Sequence, residues 1–127
     1  MEVMDWRELQ VFTGIDLNDS FVISWSLDKT CLVFELEASI WPESPAYKTP
    51  LANEYTCYRR MSLIFDQIES VDGLKPVEDV KPTSDPDMSK DYGCVDTLAT
   101  TKFGYIMSGE FGVLKIVGGT LSLQFHT

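Results

Sequence analysis

The sequence predicts a mainly β chain: an antiparallel two-sheet sandwich or partly open barrel built from hairpins, with little helix. Three observations point there. The stretch 21–38, FVISWSLDKTCLVFELEA, alternates apolar and polar residues on both sides of Asp28-Lys29. The stretch 103–125 does the same around Gly109-Glu110 and Gly118-Gly119. The segments between them, 41–54 and 74–93, each contain three prolines, which removes ladder donors and fixes φ against both helix and central strand.

Taken in order, residues 3–13 read as one short helical turn followed by an extended piece, with Val3, Trp6, Leu9 and Phe12 facing inward. Residues 14–20 are a turn-rich connection. A two-residue loop at Asp28-Lys29 pairs Leu27 with Thr30, Trp25 with Leu32, Ile23 with Phe34 and Phe21 with Leu36, all on one face. Ser24, Ser26, Glu35 and Glu37 take the solvated face. Residues 41–54 form a loop. Residues 56–65 form a long strand with Cys57, Met61, Leu63 and Phe65 on one face, and 66–73 continue or bend it. The stretch 74–93, dense in carboxylates, is the longest irregular segment. A shorter strand covers 94–100. In the last third, loops at Gly109-Glu110 and Gly118-Gly119 pair Phe103 with Ile116 and Tyr105 with Leu114, then Leu114 with Leu123 and Gly112 with Phe125. Trp25, Leu32, Phe34, Leu114, Leu123 and Phe125 are the expected core.

At 127 residues the chain fits one domain, 1–127, and 44% hydrophobic content suits a packed core rather than disorder. The net charge of −10 repels phosphate backbones, and Arg59-Arg60, on opposite strand faces, make no basic patch; nucleic-acid binding is not expected. Cys31, Cys57 and Cys94 are too few and too scattered for a disulfide framework or a CxxC zinc site, so they read as free thiols. The sequence contains no apolar run of membrane-spanning length, and MEVMDWRELQ lacks the basic start and apolar core of a signal peptide. A cytoplasmic location without membrane contact is the expectation.

Catalytic motifs are sparse. The one histidine, His126, is next to the C-terminus, which leaves no recognisable Ser-His-Asp or Cys-His set. The glycines sit at turns or inside strands, and no phosphate loop is visible. Asp85, Asp87, Ser89, Asp91 and Asp96 fall at positions 1, 3, 5, 7 and 12 of a calcium-loop template. Lys90 stands where that template wants glycine, however, and the last ligand is a short Asp. No cofactor is expected. Glu78, Asp79, Asp85, Asp87 and Asp91 make an acidic segment fit to meet a basic protein partner, and Trp41 and Tyr47 offer aromatic surface beside the first proline-rich loop.

The runs DSFVISWSLD, YTCYRR, LIFDQIESVDGL, DYG and GYIMSGEFG, with the closing GG-x-L-x-L, resemble a group of small bacterial β-rich proteins of uncharacterised function across about residues 19–125. More loosely, an early D-S followed by an alternating hairpin is similar to immunity-type proteins of bacterial toxin systems. The first resemblance rests on turns and strand alternations and so implies a small β fold more than an activity; the second implies toxin neutralisation, and neither assigns a site residue. Three classes follow from the sequence: a non-catalytic protein that binds a macromolecular partner, a small-ligand-binding β domain with a cavity between its sheets, and a metal- or carboxylate-dependent enzyme.

Overall fold

A computed structural model describes residues 3–50, 57–84 and 90–126. Among the described residues nine strands follow in order: β1 (Met4–Asp5), β2 (Ile15–Asp28), β3 (Cys31–Ile40), β4 (Cys57–Asp72), β5 (Thr83–Ser84), β6 (Lys90–Asp91), β7 (Val95–Thr100), β8 (Gly104–Gly109) and β9 (Gly112–Phe125). Seven make one antiparallel sheet in the order β1-β7-β8-β9-β4-β3-β2, and β5 pairs with β6. Among the described residues helical structure is confined to three-residue 3₁₀ turns at Trp6–Glu8, Gln10–Phe12 and Val77–Asp79.

The sheet curls until the edge strand β2 meets the residues entering β7. Phe21 bridges Cys94, the Val22 N–H donates to the Gly93 carbonyl, and the Tyr92 N–H donates to the Val22 carbonyl, both at 2.8 Å. The contact is short, so the sheet is a partly open barrel and not a closed one. Just before it, β2 carries extra residues between Asp16 and Phe21 relative to β3. The buried Ser20 hydroxyl fills the gap in the ladder: it accepts from the Ser39 N–H at 3.0 Å and donates to the Asp16 carbonyl at 2.7 Å. A buried backbone N–H is thereby satisfied at the irregularity.

The hairpins form, but their loops sit one residue later than expected. Asp28 pairs with Cys31, so the first loop is Lys29-Thr30, with Lys29 at φ 55°; Trp25 then faces Phe34 and Leu27 faces Leu32. This position lets the Thr30 carbonyl accept from the Ile68 N–H at 2.9 Å, tying the hairpin tip to β4. A second irregularity between Val22 and Ser24 turns Val22 into the core in place of Ile23. In the C-terminal hairpin Gly109 pairs with Gly112, and the loop is Glu110-Phe111. The reason is the Phe111 ring, which turns from the loop into the core at 4.8 Å from Phe34 and 6.0 Å from Trp25. A Cβ on Gly109 would strike that ring.

Gly118-Gly119 is not a hairpin loop. β9 runs through it as one 14-residue strand paired with β4. Glycines at φ 74° and 86° bend the strand opposite Gln67, itself at φ 58°, and the bend moves the inward set of β9 from Leu114 and Ile116 to Leu121, Leu123 and Phe125. Phe125 therefore faces Met61 rather than Gly112. Gly112 instead lies under the Gly73 carbonyl, where no Cβ fits. Phe103, expected inside, is 65% exposed.

The core joins both halves of the bent sheet. Phe34 packs edge-on to Phe65 at 6.3 Å, Phe65 to Tyr105 at 5.1 Å, and Trp25 to Tyr92 at 5.0 Å. Trp25, Leu32, Phe34 and Leu114 are buried as expected; Leu123 and Phe125 are half-buried against them. Each large side chain buried this way contributes about 1.5–3 kcal/mol. At the N-terminus, Asp5 and Glu8 form a capping box around the first 3₁₀ turn, which presents Trp6 to Phe12 at 5.9 Å. Both rings are buried, Leu9 is half-buried, and Val3 is exposed against expectation because β1 pairs with β7 only from Met4 onward. The cysteines are free thiols.

Candidate functional site

The seam between β2 and β7 gathers carboxylates from distant parts of the chain. The Asn18 side chain, in the irregular part of β2, donates to the Val95 carbonyl at 2.9 Å and the Asp96 carbonyl at 3.2 Å, 77 and 78 residues away. Asp16, Asp19, Asp91 and Asp96 are thereby brought around Cys94. Burial pushes the Cys94 thiol above its ordinary pKa, and the negative charges of Asp19, Asp91, Asp96 and Asp16, in that order, push it further. The Asp19 carboxylate also accepts from the Tyr58 hydroxyl at 3.4 Å.

Next to the seam, Trp41, Trp6, Arg7, Asp16, Asn18 and Glu43 line an open cleft of about 370 Å³. The Trp41 backbone N–H donates to the Gly14 carbonyl at 2.7 Å, which fixes the start of the proline-rich loop and leaves the residue 47% exposed. Arg7 lies 4.6 Å over the Trp6 ring, pairs with Asp5 at 2.9 Å and hydrogen-bonds Asn18.

The residues expected from sequence divide accordingly. Trp41 and Asp96 are at or beside the seam and exposed. Asp91 is there too but only 8% exposed, because its Oδ1 accepts from the Gly93 N–H at 2.8 Å and holds the turn into the seam; it is not a partner-facing carboxylate. Tyr47 is half-buried on the core and does not line the cleft. Glu78 and Asp79 are exposed on the 3₁₀ turn after β4, apart from the carboxylates that crowd Cys94. Asp85, Asp87 and Ser89 lie outside the described residues, as does the end of the 41–54 loop. Among the described residues no three His, Cys, Asp or Glu side chains stand where they could hold a metal ion.

Sequence reasoning missed two features. The first is a row on the outer face of β3, β4 and β9. Ser62 donates to the Glu35 carboxylate and lies 2.7 Å from His126 Nε2, and the same nitrogen is 3.4 Å from Glu35. The composition resembles a catalytic triad but the order differs. A triad needs the acid on one imidazole nitrogen and the hydroxyl on the other, so that the ring can carry a proton between them. Here acid and hydroxyl share one nitrogen and bond each other directly. The cross-strand register, with Ser62 opposite both Glu35 and Gln124, accounts for the cluster as a polar sheet surface.

The second is an apolar groove of about 480 Å³ on the outer face of β7, β8 and β9, where Phe103, Ile106 and Val113 stand exposed between Thr97, Ser108 and Lys115. Ile106 at 40% and Val113 at 81% exposure occupy outward strand positions that the alternation assigns to solvent. That mismatch of residue type and face was the available signal.

The chain matches no family model, no curated protein and no solved structure.

Proposed function

We propose that this protein works by binding a basic macromolecular partner rather than by catalysis, through the acidic seam and its flanking Trp41 cleft. The reading rests on one observation above the others: folding concentrates Asp16, Asp19 and Asp96 around Cys94 and sets Glu43 and an exposed tryptophan beside them. The cleft carries Asp16 and Glu43 against Arg7, which Asp5 pairs, and an excess of one sign raises the encounter rate of an oppositely charged partner; the chain's net charge of −10 acts in the same sense. Trp41 supplies the large rigid anchor on which interface energy tends to concentrate. Neutralisation of a basic toxin is the form of this activity that the bacterial resemblance favours.

The test is an affinity capture at low salt, followed by kinetics of the recovered partner with Asp16→Asn/Asp19→Asn/Asp96→Asn. Asparagine keeps the side-chain acceptor that Asp16 offers to the Asn18 N–H, so the fold persists. Association should slow by about tenfold or more and lose most of its salt dependence, while dissociation changes less. Unchanged association kinetics in the triple variant refutes the seam as the binding surface.

A further inference from the structure

We propose that the groove on the outer face of β7, β8 and β9 is a second docking surface, and that its occupant is a segment of a partner protein carrying large apolar side chains flanked by carboxylates. The groove's chemistry is unlike that of the rest of the chain. Twenty of the 127 residues are Asp or Glu, yet among the described residues none lines it. Its one charged lining residue among those described is Lys115, and Lys102 stands at one end with its Nζ 5.7 Å over the Phe103 ring.

The register shows how these groups are arranged. β9 places Lys115 opposite Ile106 of β8 on one side and Asp72 of β4 on the other. Val113 faces Ser108, which in turn faces Thr97 of β7 and shares a 2.6 Å hydroxyl–hydroxyl hydrogen bond with it. Asp72 is near enough in register to pair with Lys115 but forms no ion pair with it, so the ammonium keeps its donors for an incoming group. The result is an apolar strip with a cation at its side and another at its end. Exposed apolar area of this kind marks an interaction surface on a soluble protein.

Charge selects the occupant. A second copy of this chain docking by the same face would bring two molecules of charge −10 together, a larger repulsion than a short segment with a few carboxylates meets. A basic segment would press its charges on Lys102 and Lys115. A segment with carboxylates beside its apolar residues satisfies both lysines and buries Phe103, Ile106 and Val113. This docking is independent of the acidic seam, and either surface can fail without the other.

The probes are three fluorescein-labelled peptides with the same Val-Phe-Ile-Leu centre, flanked on both sides by Glu, by Gln or by Lys. Amide shifts in the isotope-labelled protein locate each one. The Glu-flanked peptide should shift Ile106, Val113 and Lys115 and bind there about tenfold more tightly than the Lys-flanked one. Lys102→Glu/Lys115→Glu should reverse that order, and Val113→Ser/Ile106→Ser should weaken all three peptides at the groove. A Lys-flanked peptide binding the groove as tightly as the Glu-flanked one overturns the proposal, as does the absence of groove shifts with any peptide. Sedimentation velocity decides the remaining occupant: a dimer that Val113→Ser abolishes would assign the groove to a second copy and overturn it equally.

Discussion

Phe111 offers the sharpest test of the fold, because two registers of one hairpin disagree about it. With the loop at Gly109-Glu110, Phe111 would point outward at the start of the last strand, and truncating it would change little. With the observed loop at Glu110-Phe111, the ring is fully buried between Phe34 and Trp25. Phe111→Ala then removes a buried aromatic in a site whose walls belong to different strands and cannot easily collapse, which costs about 3–5 kcal/mol. The two ring pairs are part of that figure, at about 0.5–1.5 kcal/mol each beyond their area. A domain of this size has about 5–15 kcal/mol in total, so the variant should lose about a fifth or more of its stability. The melting temperature should fall by roughly 10–20 °C. The assay is urea unfolding followed by tryptophan fluorescence, with exposed Glu110→Ala as the neighbouring control, expected within about 0.5 kcal/mol of the parent. A cost below about 1 kcal/mol for Phe111→Ala would place the ring outside the core and refute the observed loop.

Three further outcomes follow from the geometry. In a background where the native cysteines are replaced by serine, Asp66→Cys/Thr120→Cys should cross-link on mild oxidation, because those positions are opposite each other on β4 and β9; a protein that stays reduced under conditions that oxidise a control pair would count against one continuous β9. The Cys94 thiol, held above its ordinary pKa by burial and by Asp19, Asp91, Asp96 and Asp16, should alkylate slowly and need a higher pH than a free thiol, since only the thiolate reacts. Asp19→Asn/Asp96→Asn should shift that pH profile downward, and an unshifted profile would mean the carboxylates do not act on the thiol. His126→Ala should change stability by no more than about 1 kcal/mol, as for other half-exposed polar contacts, and Ser62→Ala should leave hydrolysis of a p-nitrophenyl ester at the parent's background; ester hydrolysis that disappears with Ser62 would show that the polar row is catalytic after all.

The one-residue alternation of Leu32, Phe34 and Leu36, and of Leu114 and Ile116, was legible in the sequence because the direction of a strand side chain is a local property with period two. Most of the strands and most of the core follow from that period, but it does not show that β2 already starts at Ile15, inside the expected 14–20 connection, nor choose between continuing and bending β4 over 66–73. Turn placement does not follow from it either. A two-residue loop at Asp28-Lys29 or at Lys29-Thr30 preserves the same alternation, and the choice falls to a distant donor, the Ile68 N–H, that binds the Thr30 carbonyl. The Glu110-Phe111 loop is set by space for an aromatic ring beside Phe34. Gly118-Gly119 is the plainest case: positive φ serves a hairpin turn and a strand bend equally, and β4, lying alongside as a ready partner, makes it a bend. The candidate site belongs wholly to tertiary structure. Composition showed that the chain was acidic, but Asp16 and Asp96 become neighbours only because the sheet curls and Asn18 reaches across 77 residues to Val95, and no local pattern encodes a contact whose two halves are so far apart in the chain.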